Sequence, residues 1–201
     1  GQRFMDSGNV DHAEIRELLG DIIADGRRAS DIVRGIRGMV RKEQVARRSV
    51  NLNDVVMDSV RMISPDAVLR SCELETSLDP SLRNIEADPV QLQQVLLNLV
   101  INAFDAVRDA PISKRKVVIA TKSNGDGTVC VSVRDWGVGI SAEMQDSVFD
   151  PFFTTKNEGL GMGLAIARSI LESHGGSIAG ENAEGGGARF KFVLPVNAPS
   201  T

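Results

Sequence analysis

Four short stretches of the chain combine residue types that could together hold a planar, phosphorylated ligand. Asn98 and Asn102 stand one helical turn apart. With Gln91, Gln94 and Asp105 they step by three or four residues along one face of an otherwise apolar segment. Buried amides need partners; a hydrated metal with phosphates would supply them, and so would solvent. Asp135-Trp136-Gly137-Val138-Gly139-Ile140 follows directly on Val131-Ser132-Val133. A carboxylate at a strand end can accept a hydrogen bond from an amino group such as that of adenine, and two glycines let backbone approach a flat ring. The same residues would also make a plain glycine turn. Phe149-Asp150-Pro151-Phe152-Phe153-Thr154-Thr155-Lys156 sets three of the seven phenylalanines beside a hydroxyl pair and a lysine. Either the rings tether a flap while Lys156 offers a point charge to phosphate, or they form a buried corner beside a surface lysine. Gly159-Leu160-Gly161-Met162-Gly163-Leu164 opens a helix, whose first amides and dipole favour an anion. It is not a Walker motif, which needs Gly-Lys-Ser/Thr. Nor is it a dinucleotide fingerprint, since no strand leads into it.

The elements around these stretches mix strands and helices without strict alternation, which predicts an α+β fold with one mixed sheet. Asp11 to Arg47 reads as a long helix, with apolar or small residues at Ile15, Leu19, Ile22, Gly26, Ala29, Val33, Ile36 and Val40, the 3.5-residue period of a bundle. Such a helix cannot bury its own stripe and calls for a partner helix. The pattern predicts a short helix over Asn51–Met62 and a strand over Cys72–Leu78. A long helix follows over Asp88–Val107, capped by Asp88 with Pro89 at its first position. Lys116–Lys122 and Thr128–Arg134 flank Asn124-Gly125-Asp126-Gly127, a hairpin signal. A loop then runs to about Gly159, followed by a helix over Met162–Ser173 and strands over Ser177–Glu181 and Ala188–Leu194.

Composition narrows the function classes. A chain of 201 residues with 42% hydrophobic content can bury one sizeable core with a smaller module beside it. A net charge of −4 gives no global argument for nucleic acid or an anionic membrane. Cys72 and Cys130 lack the close partners of a zinc motif, as expected for a reduced compartment. No apolar run approaches the roughly 18 residues that suggest a membrane span. The chain opens at Gly1 without an initiator methionine, so it is read as a fragment, and any membrane link would come through the parent protein.

Taken in order, Asn98-Leu-Val-Ile-Asn102-Ala, Asp135-Trp-Gly-Val-Gly-Ile, Phe149-Asp-Pro-Phe-Phe and Gly159-Leu-Gly-Met-Gly-Leu resemble the N, G1, F and G2 boxes of sensor histidine kinases. Each box alone is weak; the four together are specific. The resemblance covers roughly Arg48 to Pro195, and Asp11 to Lys42 resembles the second helix of that family's dimerisation hairpin. It implies a Bergerat-type α/β sandwich, a mixed sheet with helices on one face, preceded by a long bundle helix. The implied organisation is a partial dimerisation hairpin over 1–48 and an ATP-binding catalytic domain over 49–201. The implied cofactors are ATP and Mg²⁺. By the same resemblance Asn102 ligates the metal, Asn98 lies beside the phosphates, Asp135 receives the adenine amino group, and Gly137 and Gly139 shape the base pocket. Asn98, Asn102 and Lys156 form the implied catalytic group. Ile140, Phe149, Phe152, Thr155, Gly159, Leu160, Gly161, Met162, Gly163 and Leu164 complete the nucleotide-binding set, with a short lid over Phe152–Gly159. The position after Asp135, often small or Asn in the family, is Trp136 here and is expected to abut the base.

The resemblance implies phosphoryl transfer to a histidine, then relay to a response-regulator receiver domain, by a homodimeric full-length protein with this portion in the cytoplasm. Gyrase-like relatives carry a water-activating Glu where this chain has Asn98, which favours transfer over hydrolysis. A superfamily ATPase working as a conformational clamp, and a nucleotide-binding module without activity of its own, are the alternatives. His12 and His174 are the only histidines. In the family the acceptor is usually followed by an acidic residue and, a few positions on, a proline; His12 is followed by Ala13 and Glu14 with no proline nearby and His174 by Gly175-Gly176, so the acceptor is expected upstream of Gly1.

Overall fold

The computed structural model describes residues 47–145, 147–155 and 160–196. The expected long helix over Asp11–Arg47 and His12 lie outside the described residues, apart from Arg47 itself; so do Lys156 and Gly159. The first strand, β1 (Arg48–Val50), pairs antiparallel with β3 (Ile85–Ala87) as a separate two-stranded ribbon. Three residues each are too few to show a periodic signal, so neither strand was legible in the sequence.

Helix α1 (Leu52–Leu69) begins where the Asn51 side chain accepts the Asn53 N–H. It runs seven residues past the expected end at Met62, through Pro65. Packing overrides the local break: Ile63 and Ala67 are buried beyond Met62 and hold the last turns against the core. Helix α2 (Pro89–Ala106) starts on Asp88, whose Oδ1 accepts from Val90 N and Gln91 N, with Pro89 at the first helical position as expected. Helix α3 (Gly163–Ser173) starts on Met162, which has no polar side chain to cap it.

Five strands form one mixed sheet in the order β2 (Glu73–Ser77), β4 (Lys116–Ser123), β5 (Thr128–Asp135), β7 (Ala188–Pro195), β6 (Ser177–Asn182). β2 runs parallel to β4, and the other pairs are antiparallel. Side chains alternate across each strand. Val117, Ile119, Val129, Val131, Val133, Phe192 and Leu194 are buried toward the helices, while Lys116, Arg134, Arg189 and Lys191 lie on the other face. The α+β sandwich with helices on one face is therefore as expected. Its two layers meet through Leu92, Val95, Leu96, Leu99, Val100 and Phe104 of α2. Among the described residues no helix is long and apolar enough to cross a membrane.

Candidate functional site

The polar stripe of α2 occupies one half-buried seam between fully buried apolar neighbours. Ile101, between Asn98 and Asn102, is exposed. Asn98 Nδ2 donates to the Gly163 carbonyl at 3.0 Å, so the middle of α2 is tied to the first residue of α3. Asn102 follows one turn later on the same face and is half-buried. Asp105, a turn further on, pairs with Arg70 at 2.8 Å and Arg108 at 3.2 Å.

α2 and α3 run antiparallel and are joined again at their far ends. The Asp88 N–H donates to His174 Nε2 at 3.1 Å, and His174 Nδ1 lies 2.8 Å from the Ile170 carbonyl. An amide must donate, so Nε2 is the acceptor and Nδ1 carries the proton toward Ile170. Burial holds this imidazole below its usual pKa, which keeps it neutral.

The turn into α3 is a tight crossing. Gly161 has φ +65°, and a Cβ there would lie 2.2 Å from the Phe153 carbonyl oxygen. Gly163 is different: a Cβ would meet only the Asn98 side chain at ordinary contact distance. Met162 is buried, Leu160 and Leu164 pack partly buried against the core, and the first amides of α3 are left without a side-chain cap. Phe149 packs edge-on against Phe190, with centroids 6.1 Å apart. Phe152 is 69% exposed, with φ +67°. Thr154 and Thr155 are exposed.

Asp135 ends β5 with its side chain buried. Oδ1 accepts from Gly137 N at 2.8 Å and Ala188 N at 3.1 Å, and among the described residues Oδ2 accepts no hydrogen bond. Burial raises its pKa above the ordinary value, and the two amide donors oppose that shift. The space that Gly137 leaves is filled by the Ala106 carbonyl, 2.3 Å from where a Cβ would be. Its small size therefore serves the packing of the loop on α2 as well as any approach to a ring. Gly139, at φ +76°, lies against Asn182, which binds both the N–H and the carbonyl of Ile140.

Trp136 is not placed as expected. Its ring lies over the Arg134 guanidinium at 4.3 Å and near Lys116 Nζ at 5.9 Å, two side chains of the sheet face turned away from the helices. Cation–π contact holds the ring there, so Trp136 belongs to the back of the loop whose front carries Asp135.

Residues 87–198 match the family described as histidine kinase-, DNA gyrase B- and HSP90-like ATPases, and the chain belongs to that family. It is similar to the sensor histidine kinase ZraS of Klebsiella oxytoca, with 40% identity over 92% of this chain and 39% of that protein. The nucleotide-free catalytic domain of the histidine kinase ThkA superimposes with a TM-score of 0.66 at 33% identity, over 75% of this chain and 96% of that one. ThkA in complex with the response regulator protein TrrA gives a TM-score of 0.78 at 28% identity, over 96% of this chain and 54% of that one. Within the family, the chain carries the ATP-binding catalytic domain of sensor histidine kinases. The chain spans about 39% of the length of the ZraS relatives it matches.

Proposed function

We propose that this chain is the catalytic part of a protein-histidine kinase: it binds ATP with Mg²⁺ and presents the γ-phosphoryl group to a histidine, for relay to a response-regulator aspartate. The observation that carries the reading is the Asn98–Gly163 bond, which joins the polar seam of α2 to the uncapped start of α3, on the same helix whose Ala106 packs against Gly137 of the Asp135 loop. Base, metal and phosphate groups would then meet along one seam. Asp135 Oδ2 would accept from the adenine amino group. Gly139 and Ile140 would back the ring. The first amides of α3, with Gly161 and Gly163, would face phosphate oxygens, and Lys156 and Thr155 would add to them from the lid.

The donor set fits magnesium. Among the described residues no group of three or more His, Cys, Asp or Glu could hold a metal by itself. Mg²⁺ takes few protein ligands and keeps its phosphates and waters, so the single amide oxygen of Asn102 suffices. Bound there, the ion would neutralise charge on the transferring group. Asn98 is no base, so water beside the phosphate would not be activated.

His174 is the one histidine among the described residues, and both its ring nitrogens are engaged in a buried clamp. The phosphoacceptor therefore belongs on another helix, in a homodimer whose receiver-domain partner follows the precedent of ThkA with TrrA. The test is incubation with γ-labelled ATP. This chain alone should acquire no acid-labile, base-stable phosphate, whereas a longer chain with the upstream segment should. Stoichiometric label on His12 or His174 would overturn the assignment of the acceptor.

A further inference from the structure

The β6–β7 hairpin touches the proposed base loop at both of its ends, Asp135 and Ile140. Asn182, the last residue of β6, accepts the Ile140 N–H on Oδ1 at 2.7 Å and donates from Nδ2 to the Ile140 carbonyl at 2.8 Å. One side-chain amide thus pairs with one residue's backbone as a neighbouring strand would. Gly139 sits in the left-handed region at φ +76°, and a Cβ on it would lie 2.7 Å from Asn182 Oδ1. Five residues past Asn182, Gly187 at φ +77° passes so close that a Cβ would lie 2.1 Å from the Asp135 carbonyl oxygen. Ala188 N then donates to Asp135 Oδ1. The turn between them takes the Arg134 guanidinium on the Glu184 carbonyl at 2.6 Å.

We infer that Asn182 is a positioning residue for base recognition: through Ile140 it fixes the Asp135–Ile140 loop, and with it the distance between Asp135 and the wall that an adenine ring would meet. This inference rests on the proposed nucleotide site and deepens it. Asn182 touches no base or phosphate in this account; it acts through the backbone of Ile140. Its absence would free one N–H and one carbonyl at the far end of a loop whose near end is anchored on Asp135. The base would lose a fixed wall, and the polyphosphate contacts on α2 and α3 would be left as they are.

The experiment compares the wild-type chain with Asn182→Ala and Asn182→Asp by calorimetry, using ATP, ADP, GTP and Mg²⁺-tripolyphosphate as probes, alongside amide exchange at Ile140. Asn182→Ala removes both bonds. Asn182→Asp keeps the acceptor and sets a carboxylate against the Ile140 carbonyl, and its isosteric shape guards against a simple folding failure. Both should bind ATP and ADP about tenfold more weakly, the scale of one or two neutral hydrogen bonds lost and acting indirectly. Both should discriminate less between ATP and GTP and exchange the Ile140 amide faster, with tripolyphosphate affinity unchanged. Equal loss for tripolyphosphate and ATP would mean a general structural role and overturn the inference. So would a folded variant with wild-type ATP affinity and wild-type discrimination. If the wild-type chain binds no adenine nucleotide, the proposed site and this inference fall together; if it binds and the variants match it, the inference alone falls.

Discussion

The two ends of the proposed nucleotide seam are built differently. At the base end, the groups are buried or pinned by backbone: Asp135 holds two amides, Ile140 is bound on both sides by Asn182, and Gly137, Gly139 and Gly187 each leave room for a neighbouring atom. At the phosphate end, the bond from Asn98 to Gly163 ties the two helices together. Around it stand uncapped amides, exposed hydroxyls at Thr154 and Thr155, and the exposed ring of Phe152. The base end is a shape completed by the protein itself. The phosphate end is a set of donors that an anion would complete. Preorganisation at one end lets the base be recognised at low ordering cost, while the other end can respond to what the triphosphate carries.

The largest expected effect breaks the base end. Asp135→Asn should weaken ATP binding by roughly 100-fold, the scale of losing a charged, buried hydrogen-bond acceptor, and should reduce the preference for ATP over GTP. Stability should not fall with it. Because the folded carboxyl titrates above its ordinary value, its ionisation costs the folded state increasingly as pH rises from 3.8 through the raised value. The neutral variant should therefore melt no lower than the wild type at neutral pH. Binding by the wild type should follow the opposite sense: it is full above the raised pKa and lost as pH falls through it. A variant with intact adenine preference in competition would move base recognition elsewhere.

A smaller effect separates two glycines at the phosphate end. Gly161→Ala should cost about 1–3 kcal/mol of stability, because its positive φ and the Phe153 backbone leave a Cβ no room. Gly163→Ala should change stability by no more than about 0.5 kcal/mol. Equal melting temperatures for the two would contradict the crossing of the turn over Phe153. Hydrogen exchange sharpens the same comparison. ATP should slow the amides of Phe152 to Thr155 several-fold and leave Ile140 nearly unchanged, since Ile140 is already bonded. Equal protection gained at both ends would erase the distinction.

The smallest effect concerns the clamp at the far end of the helices. His174 titrates below its usual value of 6.5 in the folded chain, so the unfolded chain takes up the proton first. Its contribution to stability is present above 6.5 and lost as pH falls from there toward the depressed folded value. His174→Gln should flatten that part of the melting-temperature profile, and an unchanged acid slope would show that other groups cause it.

Much of this was legible because the local chemistry agrees with the fold. The Asp88-Pro89 start of α2, its polar stripe, the hairpin around Asn124–Gly127 and the glycine run before α3 each had a signal spanning a few residues. What escaped is made by contacts distant in sequence. Asn182 lies 42 residues from Ile140, and Ala188 lies 53 residues from Asp135. The run Gly185-Gly186-Gly187 was the available hint, since all three take positive φ in a turn that had to pass close to something. Trp136 misled because adjacency in sequence to Asp135 suggested adjacency in space, whereas consecutive residues at a strand end face opposite sides. The end of α1 was misjudged because Pro65 marks a break that the burial of Ile63 and Ala67 overrides.

If base and metal are read at separate ends of one seam, calorimetry with and without Mg²⁺ on Asp135→Asn and Asn102→Ala separates the two ends most directly. Asp135→Asn should lose ATP affinity by the same factor in both conditions. Asn102→Ala should match the wild type without Mg²⁺ and fall at least tenfold below it with Mg²⁺. An Asn102→Ala variant whose ATP affinity stays at the wild-type value in the presence of Mg²⁺ would contradict the account.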